Sequence, residues 1–302
     1  MTIRFDGKVA IVTGAGGGLG RAHALELARR GAKVVVNDLG GAVDGAGGSS
    51  AAAEKIVAEI KAAGGEAIAN GSSVTDEAGV ANMVAQTMDA FGRIDILIAN
   101  AGILRDKSFA KMEMADFDAV LAVHVMGTVK PAKACWQIMR DQHYGRIVVT
   151  TSSTGLYGNF GQTNYGAAKL GLIGFMNTLK IEGARDNIRV NAICPVAATR
   201  MTENLMPPQM LEMLKPEYVT PAVVFLASED APSGVILTAG AGVFSAAQLV
   251  ETEGVNLGHG ADADAVATNW AKIADFSGAR HYETGMEQTQ KIMARLQDGP
   301  PA

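Results

Sequence analysis

The chain has 302 residues, of which 48% are hydrophobic and 19% are charged, and its formal net charge is −5. These proportions are typical of a compact globular protein and exclude a disordered chain. Because the chain is acidic overall and has no long Lys/Arg run, we expect no nucleic-acid partner. No apolar stretch approaches the roughly 20 residues of a membrane span, so we expect no membrane partner either.

Cys135 and Cys194 are the two cysteines, which are too few for a disulfide framework. We interpret them as reduced, buried thiols. The N-terminus reaches a predicted strand at once, which leaves no room for a signal peptide. The last residues carry no peroxisomal Ser-Lys-Leu ending. The predicted compartment is therefore the cytoplasm.

Short β-branched runs alternate with longer Ala-rich segments of helical period. Several runs are apolar on both faces, as strands inside a covered parallel sheet are. The alternation predicts an α/β fold with a doubly wound, parallel, seven-stranded sheet and helices on both faces. The predicted strands are 9–13, 33–37, 66–69, 94–99, 146–151, 189–193 and 235–239. The predicted helices are 18–30, 49–63, 76–91, 115–141, 160–184 and 217–229.

A glycine-rich turn joins the first predicted strand to the first predicted helix. Glycines at such a turn let backbone N–H groups approach a pyrophosphate, whose charge the helix N-terminus also favours. The placement between a strand and a helix favours nucleotide binding over an ordinary surface turn. The turn reads Thr13-Gly14-Ala15-Gly16-Gly17-Gly18-Leu19-Gly20.

Asp38 closes the second predicted strand, 18 residues after Gly20. This is near the spacing at which a carboxylate bonds the hydroxyls of the adenosine ribose. An ionised Asp38 would repel a 2′-phosphate, and no Arg or Lys follows until Lys55. The combination favours NAD over NADP. The segment 40–50 holds five glycines and one charge; we interpret it as a mobile surface loop and leave a gating role open.

Tyr165 and Lys169 stand four residues apart in a predicted helix, so both project from one face. A phenol with an unperturbed pKa of about 10 is a poor general base at neutral pH. A nearby ammonium and the positive nicotinamide ring of NAD⁺ would favour the phenolate and lower that pKa. Ser152 lies at the end of a buried predicted strand and could bond the same substrate oxygen. Downstream of a dinucleotide turn, these three residues predict an oxidoreductase site.

The pattern changes after Gly242. Residues 1–242 form the predicted dinucleotide-binding and catalytic domain. Residues 243–302 are predicted to be a helical C-terminal extension, with helices at 262–275 and 283–296. About sixty residues are too few for a separate stable domain, so we expect the extension to pack on the same body or on a partner subunit.

These motifs together resemble the short-chain dehydrogenase/reductase family over nearly the whole chain. The resemblance implies a Rossmann-type fold and an oxidoreductase that acts on CH–OH groups. It also implies that Tyr165 is the acid/base, that Lys169 lowers its pKa and holds the ribose, and that Ser152 orients the carbonyl or hydroxyl. The motifs, in order, are Thr13-Gly14-x-x-x-Gly18-x-Gly20, Asn100-Ala101-Gly102, Ser152 and Tyr165-x-x-x-Lys169.

The resemblance also assigns a full set of site residues and no metal. The implied catalytic residues are Tyr165, Lys169, Ser152 and His124. The implied cofactor-binding residues are Gly14, Gly18, Leu19, Gly20, Asp38, Ser73, Val74, Asn100, Gly102, Tyr165, Lys169, Val196 and Thr199.

Four positions depart from the family pattern. Ala99 replaces the first Asn of Asn-Asn-Ala-Gly, and Ser73 replaces an acidic residue beside the adenine. Val196 stands where glycine usually follows proline, which puts the nicotinamide contacts from Val196 to Thr199 in doubt. His124 stands where the catalytic tetrad usually has Asn. His can substitute there if the position works through its main-chain carbonyl and a water; a proton relay through the imidazole is the alternative.

A narrower resemblance concerns the substrate. Several blocks resemble the (3R)-hydroxyacyl-CoA dehydrogenase part of peroxisomal multifunctional enzyme type 2, also known as type 4 17β-hydroxysteroid dehydrogenase. This implies oxidation of a (3R)-3-hydroxyacyl-CoA to the 3-ketoacyl-CoA in lipid metabolism. The hydratase and sterol-carrier parts have no room in the chain, so a stand-alone dehydrogenase is predicted. The blocks lie at 37–41, 100–106, 155–162, 215–219 and 269–270.

Other interpretations stay open at this point. A 17β-hydroxysteroid or steroid side-chain CoA dehydrogenase uses the same alcohol chemistry. A 3-oxoacyl carrier-protein reductase is disfavoured by Asp38, and an inactive binding relative by the intact catalytic set. Arg105 and Lys107 are either contacts to CoA phosphates or a solvated loop pair. The small-sided Tyr165 helix is typical of a dimer interface in the family, which implies a homodimer or homotetramer.

Overall fold

The computed structural model describes residues 2–45, 47–198 and 208–297. Thr199, which the sequence analysis assigns to the cofactor site, lies outside these ranges. The chain divides by its contacts into two compact units, Met1–Ala246 and Ala247–Ala302. Within the described ranges, no helix has the length and apolar character needed to cross a membrane.

The first unit is centred on one sheet. Its strands are β1 (Val9–Thr13), β2 (Lys33–Asn37), β3 (Ala67–Asn70), β4 (Ile96–Ala99), β5 (Gly145–Thr150), β6 (Ile188–Pro195), β7 (Ile236–Gly240) and β8 (Val243–Ala247). The strand order is β3-β2-β1-β4-β5-β6-β7-β8, and the neighbours from β3 to β7 are parallel. Every side chain of β1, β4 and β5 is buried, as in a sheet covered on both faces. The predicted doubly wound α/β fold is confirmed.

The predicted strand number of seven is wrong, because the sheet has eight strands. β8 follows β7 after a two-residue turn in which Ala241 and Gly242 have φ values of +51° and +78°. Two consecutive positive φ values are typical of the type I′ turn that joins antiparallel strands. Four of the five β8 residues are exposed, so β8 has neither the buried run nor the alternation by which strands are predicted.

The helices of the first unit form two groups around the sheet. They are α1 (Gly18–Arg29), α2 (Ala51–Ala62), α3 (Glu77–Phe91), α4 (Met114–Leu121), α5 (Gly127–Asp141), α6 (Ser153–Tyr157), α7 (Thr163–Gly183), α8 (Pro208–Met213) and α9 (Thr220–Leu226). α1 contacts α2 and α9, whereas α3 contacts α5 and α4 contacts α7. The predicted helix 115–141 is interrupted by a π-helical turn, Ala122–Met126. π-helical turns occur frequently at functional sites.

The strand order reverses between β1 and β4, and a crevice opens where neighbouring chain paths diverge at the carboxyl ends of the strands. Thr13 ends β1, and its buried hydroxyl accepts hydrogen bonds from the backbone N–H groups of Asn100 at 3.0 Å and Ala101 at 3.1 Å. These bonds hold the turns after β1 and β4 together at the crevice.

The second unit contains α10 (Ala263–Thr268), α11 (Trp270–Ile273) and α12 (Gly285–Gln297). An antiparallel bridge joins Glu251 to Arg280. The ammonium of Lys291 on α12 donates to a carboxylate oxygen of Glu251 at 2.7 Å and to the carbonyl of Thr252 at 2.6 Å. The boundary between the two units falls after Ala246, whereas the sequence predicts it after residue 242. The difference arises because four of the five residues of β8 belong to the first unit.

Candidate active site

A cavity of about 590 Å³ lies at the carboxyl ends of the strands. It collects nearly all of the site residues that the sequence analysis predicts. Gly20 is absent from the lining, and Thr199 lies outside the described residues. The predicted residues that line the cavity are Gly14, Gly18, Leu19, Asp38, Ser73, Val74, Asn100, Gly102, His124, Ser152, Tyr165, Lys169 and Val196.

The glycine-rich turn leaves no space for side chains at its two ends. Gly14 has φ +64°, and a Cβ there would lie 2.8 Å from the Cα of Ala101. A Cβ on Gly20 would lie 2.7 Å from the side-chain nitrogen of Asn100 and would also overlap the carbonyl of Gly14. Gly20 therefore acts behind the cavity wall: it allows α1 to begin close against the turn.

Asn100 fixes the other side of this turn. Its side-chain amide donates to the carbonyls of Thr13 and Gly14, both at 3.1 Å. Because these two carbonyls are held by a side chain, the backbone N–H groups of the turn keep one arrangement. The result is a backbone cradle of the kind that holds a pyrophosphate at a helix N-terminus.

Asp38 lies at the end of β2 with both carboxylate oxygens engaged. One oxygen accepts from the N–H of Gly16 at 2.7 Å, and the other accepts from the N–H of Gly40 at 2.6 Å. The carboxylate faces the cavity between the two glycine segments. The carboxylate therefore links the turn after β1 to the segment after β2. It lies at the position expected for a ribose.

The part of the cavity predicted to hold the adenine carries a hydroxyl side chain and an apolar side chain where the family usually has an acidic residue. The hydroxyl of Ser73 is 2.9 Å from the hydroxyl of Thr75. Val74 is buried and packs so closely on α5 that a Cβ on Gly127 would lie 2.6 Å from it. Val196, on the opposite side, is 40% exposed, and its N–H donates to the carbonyl of Ala239 at 2.8 Å.

Ser152 and Tyr165 both line the cavity, and the Ser152 hydroxyl lies close enough to the phenol to favour its phenolate form. Ser152 is the N-cap of α6 and accepts from the N–H of Thr154 at 3.2 Å. Burial raises the pKa of Tyr165 to about 12, and the hydrogen bond from Ser152 lowers it in part. We predict from the sequence that Lys169 lowers this pKa; in the polypeptide alone burial is the largest cause of the shift, and Lys169 is not among its causes.

Lys169 is buried one helical turn after Tyr165. Its ammonium donates to the carbonyl of Thr150 at 2.6 Å and lies 5.4 Å from the centre of the Tyr165 ring. Burial lowers the pKa of Lys169 to about 7. The hydroxyl of Thr151 donates to the backbone carbonyl of Lys169 at 2.8 Å, so the end of β5 fixes both ends of this residue.

His124 lies in the π-helical turn, and its ring meets the Tyr165 ring edge-on with 5.1 Å between ring centres. Its Nε2 is 2.8 Å from the carbonyl oxygen and 3.2 Å from the N–H nitrogen of Ile103. Its Nδ1 is buried without a hydrogen-bond partner. Burial lowers the pKa of His124 well below its usual range, and the charge of Lys169 lowers it further. The main-chain carbonyl of His124 accepts from the Thr128 hydroxyl at 2.8 Å.

Sequence reasoning missed a polar network beside the catalytic pair. Gln162 donates to the Asp106 carboxylate at 2.6 Å. The amide oxygen of Gln162 accepts from the Thr154 hydroxyl at 2.9 Å and from the Asn159 amide at 3.1 Å. Gln162, Thr154 and Asn159 line the cavity. Amide and hydroxyl side chains in loops give no periodic signal, so only the folded chain brings these residues together.

The glycine-rich segment after β2 is attached to the wall of the cavity. The N–H of Leu104 donates to the carbonyl of Val43 at 3.0 Å, and the guanidinium of Arg105 donates to the carbonyl of Asp44 at 3.0 Å. Val43 and Gly45 line the cavity. The segment is therefore part of the site; a gating role stays a prediction.

A glycine-rich turn, the carboxylate of Asp38, and Ser152, Tyr165 and the buried Lys169 thus line one cavity of a Rossmann-type fold, the arrangement expected of an oxidoreductase. The chain belongs to the short-chain dehydrogenase family, whose family model matches residues 8–209. The matched range holds the glycine-rich turn, Asp38 and the whole predicted catalytic set.

Two curated relatives illustrate the similarity. A short-chain type dehydrogenase/reductase of Mycobacterium tuberculosis is 51% identical over 274 residues, which cover 90% of this chain and 96% of the relative. Peroxisomal multifunctional enzyme type 2 of Mus musculus is 48% identical over 298 residues, which cover 97% of this chain and 40% of the mouse protein.

Two solved structures are similar in fold. Full-length peroxisomal multifunctional enzyme type 2 from Drosophila melanogaster matches with a TM-score of 0.83 and 37% identity, covering 99% of this chain and 51% of that one. A 7α-hydroxysteroid dehydrogenase complexed with NADH and a 7-oxo bile acid matches with a TM-score of 0.72 and 31% identity, covering 79% of this chain and 95% of that one. The chain spans about half or less of these multifunctional enzymes, and the site has the form of a nicotinamide-cofactor site.

Proposed function

We propose that the chain is an NAD-dependent (3R)-3-hydroxyacyl-CoA dehydrogenase with Tyr165 as its acid/base. The observation that carries the proposal is that Ser152, Tyr165, the buried Lys169 and Asp38 all line one cavity. The similarity to multifunctional enzymes of type 2 over almost the entire chain supports the hydroxyacyl-CoA substrate.

The two hydroxyls would hold the 3-hydroxyl of the substrate. Ser152, fixed at the start of α6, orients this oxygen, and the phenolate of Tyr165 takes its proton as C3 loses a hydride. Bound NAD⁺ would supply the hydride acceptor and a positive charge that lowers the pKa of Tyr165. Without such a charge, burial keeps the phenol protonated, since its pKa is about 12.

Lys169 and His124, which both lie close to the Tyr165 ring, would support this step. Lys169 has N–H donors beyond the one given to Thr150, and these can hold the ribose hydroxyls. His124 is neutral near pH 7, since burial depresses its pKa. We propose that it positions Tyr165 through ring contact and the bond to Ile103, while its main-chain carbonyl and its unpartnered Nδ1 are the two groups able to accept a proton-relay water.

The preference for NAD over NADP would come from Asp38. Its carboxylate is held between Gly16 and Gly40 at the ribose side of the cavity. The groups bonded to Asp38 are backbone N–H groups, which carry no formal positive charge. A 2′-phosphate at this position would therefore be repelled by the carboxylate. The backbone cradle at Gly14 and Gly18 would hold the pyrophosphate; Leu19 and Asn100 line the same cavity.

Initial rates test the proposal. NAD⁺ and NADP⁺ are each combined with a (3R)-3-hydroxyacyl-CoA, its (3S) epimer and a 17β-hydroxysteroid. The expected result is turnover of the (3R) thioester with NAD⁺. Turnover confined to the steroid contradicts the substrate, and a preference for NADP⁺ contradicts the cofactor, whereas neither result affects the chemistry assigned to Tyr165.

A hydroxysteroid dehydrogenase is the second candidate function. It is favoured by the similarity to a 7α-hydroxysteroid dehydrogenase that covers 95% of that chain. Both reactions move a proton and a hydride from a secondary alcohol, so the same Ser152 and Tyr165 would act. The steroid arm of the rate experiment separates the two candidates.

The assembly and compartment rest on the same proposal. We propose a homodimer or homotetramer with the extension after residue 242 packed on the same body or on a partner subunit, in the cytoplasm. Sedimentation of the purified protein tests the assembly: a monomer at micromolar concentration contradicts it.

A further inference from the structure

Arg105 lies behind the cavity wall and contacts two separate segments of the chain. Its Nε donates to the carbonyl of Asp44 at 3.0 Å, and its guanidinium pairs with the carboxylate of Asp116 at 3.2 Å. The side chain is 33% exposed. The neighbouring N–H of Leu104 donates to Val43 at 3.0 Å. These two adjacent bonds attach the described part of the glycine-rich segment to the segment after β4.

The backbone carbonyl of Arg105 is bonded to the helix that carries Tyr165. The side chain of Asn164 is completely buried. Its amide nitrogen donates to the carbonyl of Arg105 at 3.0 Å, and its amide oxygen accepts from the N–H of Tyr165 at 2.7 Å. One residue, Arg105, therefore contacts the cofactor side of the cavity through its side chain and the start of the catalytic helix through its main chain.

These contacts leave the guanidinium of Arg105 little freedom to bind a phosphate. Its planar fork is already directed at a carbonyl and a carboxylate. Lys107 pairs with the second oxygen of the same Asp116 at 3.0 Å, and it has no bond to the part of the glycine-rich segment that the structure describes. The two cations thus differ in one respect: only the side chain of Arg105 reaches the carbonyl of Asp44.

We propose that Arg105 is a positioning residue that holds the cofactor-side wall at Val43 and Asp44 and, through Asn164, the start of the Tyr165 helix. The proposal rests on the NAD-dependent function proposed above. Without the Arg105 bond the wall has one attachment fewer, so cofactor binding must order it. Loss of the side chain therefore weakens cofactor binding and lowers the rate with every substrate by the same factor.

The test compares Arg105→Gln, Arg105→Lys and the matched control Lys107→Gln in the full chain. NADH binding is measured by fluorescence titration without substrate. kcat/KM is measured at subsaturating NAD⁺ with a (3R)-3-hydroxyacyl-CoA and with the same acyl group on a short thioester that lacks the nucleotide. We expect Arg105→Gln to raise the NADH dissociation constant about tenfold, as for loss of a charge-assisted hydrogen bond. We expect kcat/KM of Arg105→Gln to fall by the same factor with both thioesters. The NADH affinity of Arg105→Lys is intermediate, and Lys107→Gln binds NADH as the unmodified protein does.

Three results overturn the inference alone. An unchanged NADH dissociation constant in Arg105→Gln removes the role in cofactor binding. A loss confined to the CoA thioester makes Arg105 a CoA phosphate ligand instead. If Lys107→Gln raises the NADH dissociation constant as much as Arg105→Gln does, the cause is the loss of a positive charge near Asp116 and not the bond to Asp44. Failure of the unmodified protein to bind NADH overturns the proposed function together with this inference, so the two failures are distinguishable.

Discussion

On the proposed cofactor side of the cavity, the turn after β1 presents backbone groups. The carboxylate of Asp38 faces the cavity beside these groups. On the catalytic side, the groups are the side chains of Ser152, Tyr165 and Lys169, with altered pKa values for the last two. The cofactor side is fixed by hydrogen bonds that need close backbone approach. The catalytic side depends on burial, which sets protonation states. The comparison predicts that substitutions on one side change binding, while those on the other change chemistry.

The largest effect is expected for Tyr165→Phe. It removes the proton acceptor but keeps the ring that packs on His124, so kcat falls about 10³-fold or more while NADH binding is unchanged. Steady-state rates and NADH titration measure the two quantities. Tyr157→Phe is the control, because Tyr157 is 78% exposed. A substantial residual kcat in Tyr165→Phe assigns the acid/base to another group and breaks the comparison.

Asp38→Ala is expected to change binding and not chemistry. It removes the acceptor for the N–H groups of Gly16 and Gly40 and the charge at the ribose side, so the NAD⁺ dissociation constant rises about 10- to 100-fold. The preference for NAD⁺ over NADP⁺ falls, as measured by the ratio of kcat/KM values. Asp89→Asn, which removes a carboxylate at an exposed position of α3, leaves the ratio unchanged. A large fall in kcat at saturating NAD⁺ would show that the two sides are not separable.

The burial of Lys169 predicts a pH-dependent stability. Its pKa is about 7 when folded and near the ordinary value of 10.5 when unfolded. Between these values the unfolded state binds more protons, so the contribution of Lys169 to the free energy of unfolding rises with pH. We expect the free energy of unfolding of the unmodified protein, minus that of Lys169→Met, to increase by about 1 kcal/mol from about pH 7.5 to about pH 8.5.

Denaturant unfolding at the two pH values measures this difference. Lys61→Met, at an exposed position of α2, serves as the control and gives a constant difference. If the difference in free energy of unfolding for Lys169→Met does not change with pH, the depressed pKa of Lys169 is contradicted. If this difference decreases as the pH rises, the direction of the pKa shift is contradicted.

The smallest effect is expected for His124→Asn. Asn retains a side-chain amide that can bond to Ile103, and the main-chain carbonyl is unchanged, so kcat falls by less than about threefold. His124→Leu lacks the bond and lowers kcat about tenfold. Because the ring is neutral near pH 7, neither substitution removes an ionisation from the pH–rate profile. A loss in His124→Asn equal to that in His124→Leu favours a relay through the imidazole.

The doubly wound fold and most of the cavity lining could be predicted from the amino-acid sequence. Alternating runs are strong signals, because a covered parallel sheet needs strands that are apolar on both faces. Gly14 and Asp38 were found from local spacing, because the turn and the strand end are short-range features. β8 was missed, since an exposed strand after a tight turn carries no burial pattern.

The protonation states and hydrogen-bond partners of these residues depend on tertiary contacts that the sequence pattern does not encode. Tyr165 and Lys169 have pKa values of about 12 and about 7 because neighbours distant in sequence remove water from them, and no spacing encodes that exclusion. The bonds that join Asp44, Arg105 and Asn164 connect residues from three separate segments. Arg105 therefore looked like a solvated cation in sequence, whereas the fold gives it partners at both ends. The physical reason is that periodicity reports which residues are buried, while hydrogen bonds and desolvation depend on which segments meet.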